Sequence, residues 1–169
     1  MAQPIRNEFL ALYNASLKNA SELLAEAEIL FEREKYARAY ALAFTALEEI
    51  SKSQLAADVF TGLITGEEFN ECFGDHRKKI ERMAWATEDA KHYLAMPEED
   101  YIEVQEVTFA SRQSALFVGF KNEKTVSPSD VIGREAARSI IHTAQVAIQR
   151  IIETVEVWGH QIGTKGFMK

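Results

Sequence analysis

The sequence predicts an all-α fold, a single-domain helical bundle of about five helices. Three observations carry this. Proline occurs only three times, at positions 4, 97 and 128. The stretches between the prolines place apolar residues on a helical period of about 100° per residue. No segment sustains the apolar–polar alternation of a half-buried strand, and there is no repeat or low-complexity linker. A chain of 169 residues is about one domain, able to bury roughly two-thirds of its unfolded surface.

The first helix is expected from Ile5 to Glu32 and the second from Lys35 to Phe60. Gly62 and Gly66 punctuate the joint, and Thr65 before Glu67 and Glu68 reads as an N-cap with acids in the first turn. The third helix then runs from Glu67 to about Leu94. Pro97, followed by Glu98, Glu99 and Asp100, opens a fourth that ends near Phe120. "ALFVGF", residues 115–120, is the one run that tempts toward a strand, and its helical flanks favour helix instead. Ser127 as N-cap, Pro128 next and Asp130 three residues on start the fifth helix, which continues to about Gly159. The domain is expected over residues 1–160, with a flexible tail at 161–169.

Composition excludes several function classes. A net charge of −7 opposes a surface that grips nucleic acid all over, though not a small local basic site. The single cysteine, Cys72, permits no internal disulfide and no multi-thiolate metal site. The N-terminus lacks the basic-then-apolar pattern of a signal peptide, and no window approaches 18 uninterrupted apolar residues. A cytoplasmic protein with no membrane contact is expected. Asp89 and His92 give one acid-x-x-His spacing where di-iron bundles need two, and His142 and His160 show no ligand spacing either. Phosphate-binding glycine loops are missing too. Neither a metal nor another cofactor is expected.

The helix faces locate the chemistry. In the fifth helix Ala137, Ile140, Ile141, Ala144, Ile148, Ile151, Ile152, Val155 and Trp158 gather on one side, with Arg138 and His142 falling toward solvent. The second helix is apolar most of the way round, from Tyr36, Tyr40, Phe44, Leu47 and Ile50 on one face to Leu55 and Val59 on its flank. It should therefore be central. Glu48 and Lys52 lie on that flank in the favourable i,i+4 order, while Glu49 points away toward solvent. Charges on a central helix cost several kcal/mol (roughly) unless partnered. His76 falls in the apolar stripe of the third helix, with Lys79 at its edge. Arg112 falls within the fourth-helix stripe of Tyr101, Val104, Thr108, Phe109, Ala115 and Leu116, and a guanidinium there needs anions or a ligand. Glu48, His76 and Arg112 are expected to meet. Each has an ordinary alternative as a core ion pair or a hydrogen-bonded core histidine.

"KYARAYALAFTALEEISKSQ", "FGDHRKKI", "SRQSALFVGF" and the helix-opening "SPSD" stand in an order and spacing that resembles the AbiV-type abortive infection family, in the HEPN superfamily of α-helical domains. The resemblance covers about residues 30–150. It implies a helical bundle, paired as a homodimer, that halts phage multiplication in bacteria through a phage or host protein or through RNA. Many HEPN proteins are metal-independent ribonucleases carrying an arginine, four to six intervening residues and a histidine. Here Arg138 and His142 have three residues between them, and Arg134 and His142 have seven. Catalysis would instead draw on separate helices, with Arg112 countering phosphate charge and His76 moving a proton, supported by Glu48, Glu49, Lys52 and Lys79. Three functions are thus open: an antiphage effector working through a partner, a ribonuclease, and a non-catalytic dimerisation module. Trp85, Phe117 and Phe120 lie off or at the edge of their apolar stripes, which favours a dimer.

Overall fold

The computed structural model describes residues 3–92 and 102–158. In chain order these form α1 (Gln3–Glu32), α2 (Tyr36–Thr61), α3 (Gly66–Phe73), α4 (His76–Glu81), α5 (Ala84–His92), α6 (Phe109–Leu116), the strands β1 (Gly119–Lys121) and β2 (Lys124–Val126), α7 (Pro128–Val131) and α8 (Arg134–Trp158). The fold is the expected all-α bundle with one small antiparallel hairpin attached.

α1 and α2 are joined by three residues, and so short a link makes them antiparallel neighbours. Their contact is lined by alanines, Ala20 and Ala27 from α1 and several from α2, all without exposed surface. Small side chains let the two axes approach closely. α2 is the central helix, packing against α1, α3, α4, α6, α7 and α8. Phe44, Leu47, Ile50 and Leu55 are completely buried on it. It ends at Gly62, whose φ of 79° is the left-handed conformation glycine adopts without a steric cost. From α8, Ala137, Ile140, Ile141, Ala144 and Ile151 complete the core as expected, whereas Ile152 is 48% exposed.

The predicted third helix is broken into three. Gly74 caps α3, and Asp75 then starts α4 by accepting hydrogen bonds from the backbone N–H groups of Arg77 (2.8 Å) and Lys78 (3.2 Å). Those N–H groups hold the Asp75 carboxyl below the usual range. Thr65 caps α3 as predicted, exchanging hydrogen bonds with Glu68. A turn at Arg82 and Met83 separates α4 from α5.

The predicted fourth helix is also corrected. Its start at Pro97 lies outside the described residues, and residues 102–108 are not helical. This segment is rich in β-branched residues, and it is tied to α8 by the Gln105 N–H donating to Ser139 Oγ at 2.7 Å. Helix begins only after Thr108, whose hydroxyl accepts from the Ser111 N–H. Thr108 is thus a cap, and Leu116, placed in the buried stripe, is 44% exposed. "ALFVGF" is also not helical throughout: Gly119 and Phe120 enter β1, pairing with Val126 and Thr125. Asn122 and Glu123 form the turn with positive φ (51° and 61°), which matches the twist of a two-residue hairpin. Ser127, Pro128 and Asp130 do open a helix, with Asp130 accepting from the Ser127 N–H at 2.7 Å. It lasts one turn before the chain redirects at Ile132 and Gly133 into α8.

Two aromatic or imidazole placements differ from expectation. Trp85 packs against the main core, and its indole nitrogen is buried without a hydrogen bond. His142 is half-buried where α8 meets α5, bonded to the Ala90 carbonyl, with Nε2 buried and unpartnered. Desolvation foremost, and Arg138 beside it, push its pKa below the ordinary 6.5, against the Ala90 bond. A base with a depressed native pKa takes up protons in the unfolded state first, so stability is full above pH 6.5 and falls as pH drops toward the native value. His142→Gln should therefore flatten the decline of unfolding free energy below pH 6.5, measured by urea denaturation across pH 5 to 7.5. An unchanged slope would refute the assignment.

Candidate functional site

Glu48 sits at mid-length on α2 with 3% of its surface exposed. One carboxylate oxygen is hydrogen-bonded to His76 Nδ1 from the first residue of α4. The other lies 3.9 Å from Nε of Arg112 on α6. Three helices thus bring together Glu48, His76 and Arg112. The distance to Arg112 is that of an ion pair without a hydrogen bond, and Nε has no other partner. The Arg112 side chain is 20% exposed, so its guanidinium is mostly covered.

Lys79 follows His76 by one helical turn and is 3% exposed, with Glu48, Glu49, Lys52 and Arg112 as its charged neighbours. Burial pushes its ammonium pKa down first, Lys52 and Arg112 add to this, and Glu48 and Glu49 oppose it. Lys52 does not pair with Glu48 as expected. It bonds Glu49 at 2.5 Å, and Glu49 is mostly buried rather than solvated. The reason is competition: His76 and Arg112 already hold both oxygens of Glu48, and Glu49 is the free acid within reach of Lys52.

Aromatic rings line this cluster. The His76 ring lies nearly parallel to Phe109, with centroids 6.1 Å apart. The Arg112 guanidinium stands over Phe44 and Phe109 at 5.7 and 5.8 Å, and Arg77 over Phe109 at 5.6 Å. Arg77 thus belongs to the site's rim. The His76 side chain remains 47% exposed although Nδ1 is occupied. A carboxylate-oriented imidazole that stays half-exposed is the arrangement of a proton-transfer group, because the bound acid fixes the orientation of the ring.

A second buried pair escaped the sequence reading. Asp58, 2% exposed near the end of α2, is paired with Arg82 just after α4. The signal was present in "LAADVF", where an acid falls in line with Tyr40 and Leu47 on the helix's apolar face. Both pairs clamp α4 to α2, so α4 is held at each end by charge. Among the described residues no group of three or more His, Cys, Asp or Glu side chains is placed to hold a metal. None of their helices is long and apolar enough to cross a membrane.

A family model described as AbiV, of the HEPN type, matches residues 8–149. The chain belongs to the AbiV family. This is an abortive-infection, antiphage family with a helical fold. Neither a curated protein nor a solved structure matches the chain. All six polar residues of the cluster fall within the matched span.

Removing the central carboxylate leaves Lys79 buried with Glu49 as its remaining acidic neighbour, and takes from the mostly covered Arg112 its ion-pair partner. Glu48→Ala should lower the unfolding free energy by about 3–5 kcal/mol in urea denaturation. A loss below about 1 kcal/mol would mean that the cluster does not depend on Glu48.

Proposed function

We propose that this AbiV-family protein is an abortive-infection effector of the bacterial cytoplasm whose Glu48–His76–Arg112 cluster cleaves RNA without a metal. The observation that carries this reading is the His76 ring, fixed through Nδ1 by Glu48 while its side chain stays half-exposed. His76 Nε2 takes the proton of a ribose 2′-hydroxyl as that oxygen attacks the adjacent phosphorus. The bond to the 5′-oxygen breaks, water supplies the proton to that oxygen, and a 2′,3′-cyclic phosphate results. Arg112, and Arg77 at the rim, counter the charge on the phosphate oxygens. Glu48 is a positioning residue, and Lys79 with the Glu49–Lys52 pair keeps the cluster electrostatically balanced.

His76→Gln keeps the ring's approximate volume and should retain the parent melting temperature. It should reduce RNA cleavage in chelator by about 10²–10⁴-fold and abolish protection in phage plating. A folded variant that still protects would overturn the reading, and one that melts far below the parent would make the cluster structural.

A homodimer is the second element of the proposal. Phe117, Val118 and Phe120 are 61%, 64% and 77% exposed around a hairpin whose outer edges are unpaired among the described residues. An apolar row beside open strand edges suits pairing with a second copy. Phe120→Asp should shift a dimer toward monomer in sedimentation at micromolar concentration. A parent that sediments as a monomer would remove the dimer.

A further inference from the structure

Beside the cluster lies a cleft of about 620 Å³ that shares Arg77 with the chemistry above and is otherwise not used by it. Leu47 of α2, Ile80 and Met83 give it an apolar floor, with Val107 and Phe109 on the opposite wall. This is within the usual volume of a small-molecule site. Phe109 is shared: it lines the cleft and also contacts His76, Arg77 and Arg112. Whatever enters the cleft is therefore next to the reacting groups.

Its charged wall residues are Glu81, Glu88 and Glu106 with Arg77 and Lys91, and Arg77 stands on the side of Phe109. Lys91 is neutralised by Glu88 at 2.6 Å, whereas Glu81 and Glu106 have no ion-pair partner among the described residues. Glu81 follows Arg77 by one helical turn on α4, and Glu106 stands on the facing segment before α6. Carboxylates repel a phosphate, so the part of the cleft around Glu81 and Glu106 disfavours the backbone of a nucleic acid, whereas Arg77 favours it. They accept hydrogen bonds from amino groups, as a glutamate does from cytosine N4. An aromatic wall with an adjacent guanidinium offers a flat ring a surface to pack on, which is how unpaired bases are bound.

We infer that this cleft receives one unpaired nucleobase bearing an exocyclic amine, cytosine, adenine or guanine rather than uracil, from an RNA strand whose phosphate lies at Arg77 and Arg112. The inference rests on the ribonuclease reading for the phosphate and the reaction, but the cleft's base preference is measurable without cleavage. The apolar floor takes the ring and the two glutamates select for the amine. Uracil presents a carbonyl where cytosine presents that amine, so at that position it has no proton for a carboxylate and can offer only its ring N3–H.

The test titrates the full chain with cytidine and uridine 5′-monophosphates, followed by NMR or calorimetry. Cytidine monophosphate should bind more tightly, on the order of tenfold. Glu81→Gln with Glu106→Gln should bring the two affinities together, because an amide donates as well as accepts. Ala84→Trp, which fills the cleft from its wall, should weaken both while leaving the melting temperature unchanged. Equal affinities in the parent, or a preference that survives the double substitution, would overturn the inference. A chain that prefers cytidine but cleaves no RNA keeps the cleft and removes the ribonuclease reading. Cleavage that depends on His76 without any nucleotide preference does the reverse.

Discussion

A carboxylate in the middle of a buried helix must be compensated where it stands, and Glu48 organises the bundle around that requirement. Its oxygens are met from two other helices, by His76 and by Arg112. Breaking one partner of such a set leaves the others desolvated and unpaired, which costs more than the set contributes as a whole. The chain therefore has to bring α2, α4 and α6 to one point. Short connections and capping residues deliver them: Asp75 aims α4, and Thr108 starts α6 at the turn that carries Arg112.

The same arrangement separates rigid from accessible parts of the site. Glu48 and Lys79 are almost fully buried, Arg112 is mostly covered, and His76 is half-open. Burial keeps the acid fixed, and the side chain it holds stays half-exposed. Phe109 continues the site outward, since one ring touches the imidazole, two guanidinium groups and the cleft. The proposed chemistry uses this gradient, with the positioning group inside and the reacting group at the surface.

Membership of the AbiV family gives the antiphage context and a helical fold. The arginine–histidine spacing familiar from HEPN ribonucleases is not how this cluster is built. His76 and Arg112 are 36 positions apart and meet only because α4 and α6 both pack on α2. His142, the histidine that follows nearby arginines on α8, is instead occupied at a helix contact with α5. No arginine precedes it with four to six residues between, so the linear motif is not matched there.

The sequence by itself determined the all-α class, the long first, second and last helices, the central place of α2, and the candidates Glu48, His76 and Arg112. Helical periodicity carries that information, because a charge in an apolar stripe is visible without any partner. It did not determine how the middle of the chain is cut. Gly74 with Asp75, the β-branched run before Thr108 and the Asn122–Glu123 turn each override a helical pattern, and their effect depends on bonds such as Gln105 to Ser139. Nor did it determine who pairs with whom. Lys52 stands in good register for Glu48, yet it bonds Glu49 because tertiary packing delivers His76 and Arg112 to Glu48 first. Local spacing sets which charges are available, and the competition among helices decides which of them meet.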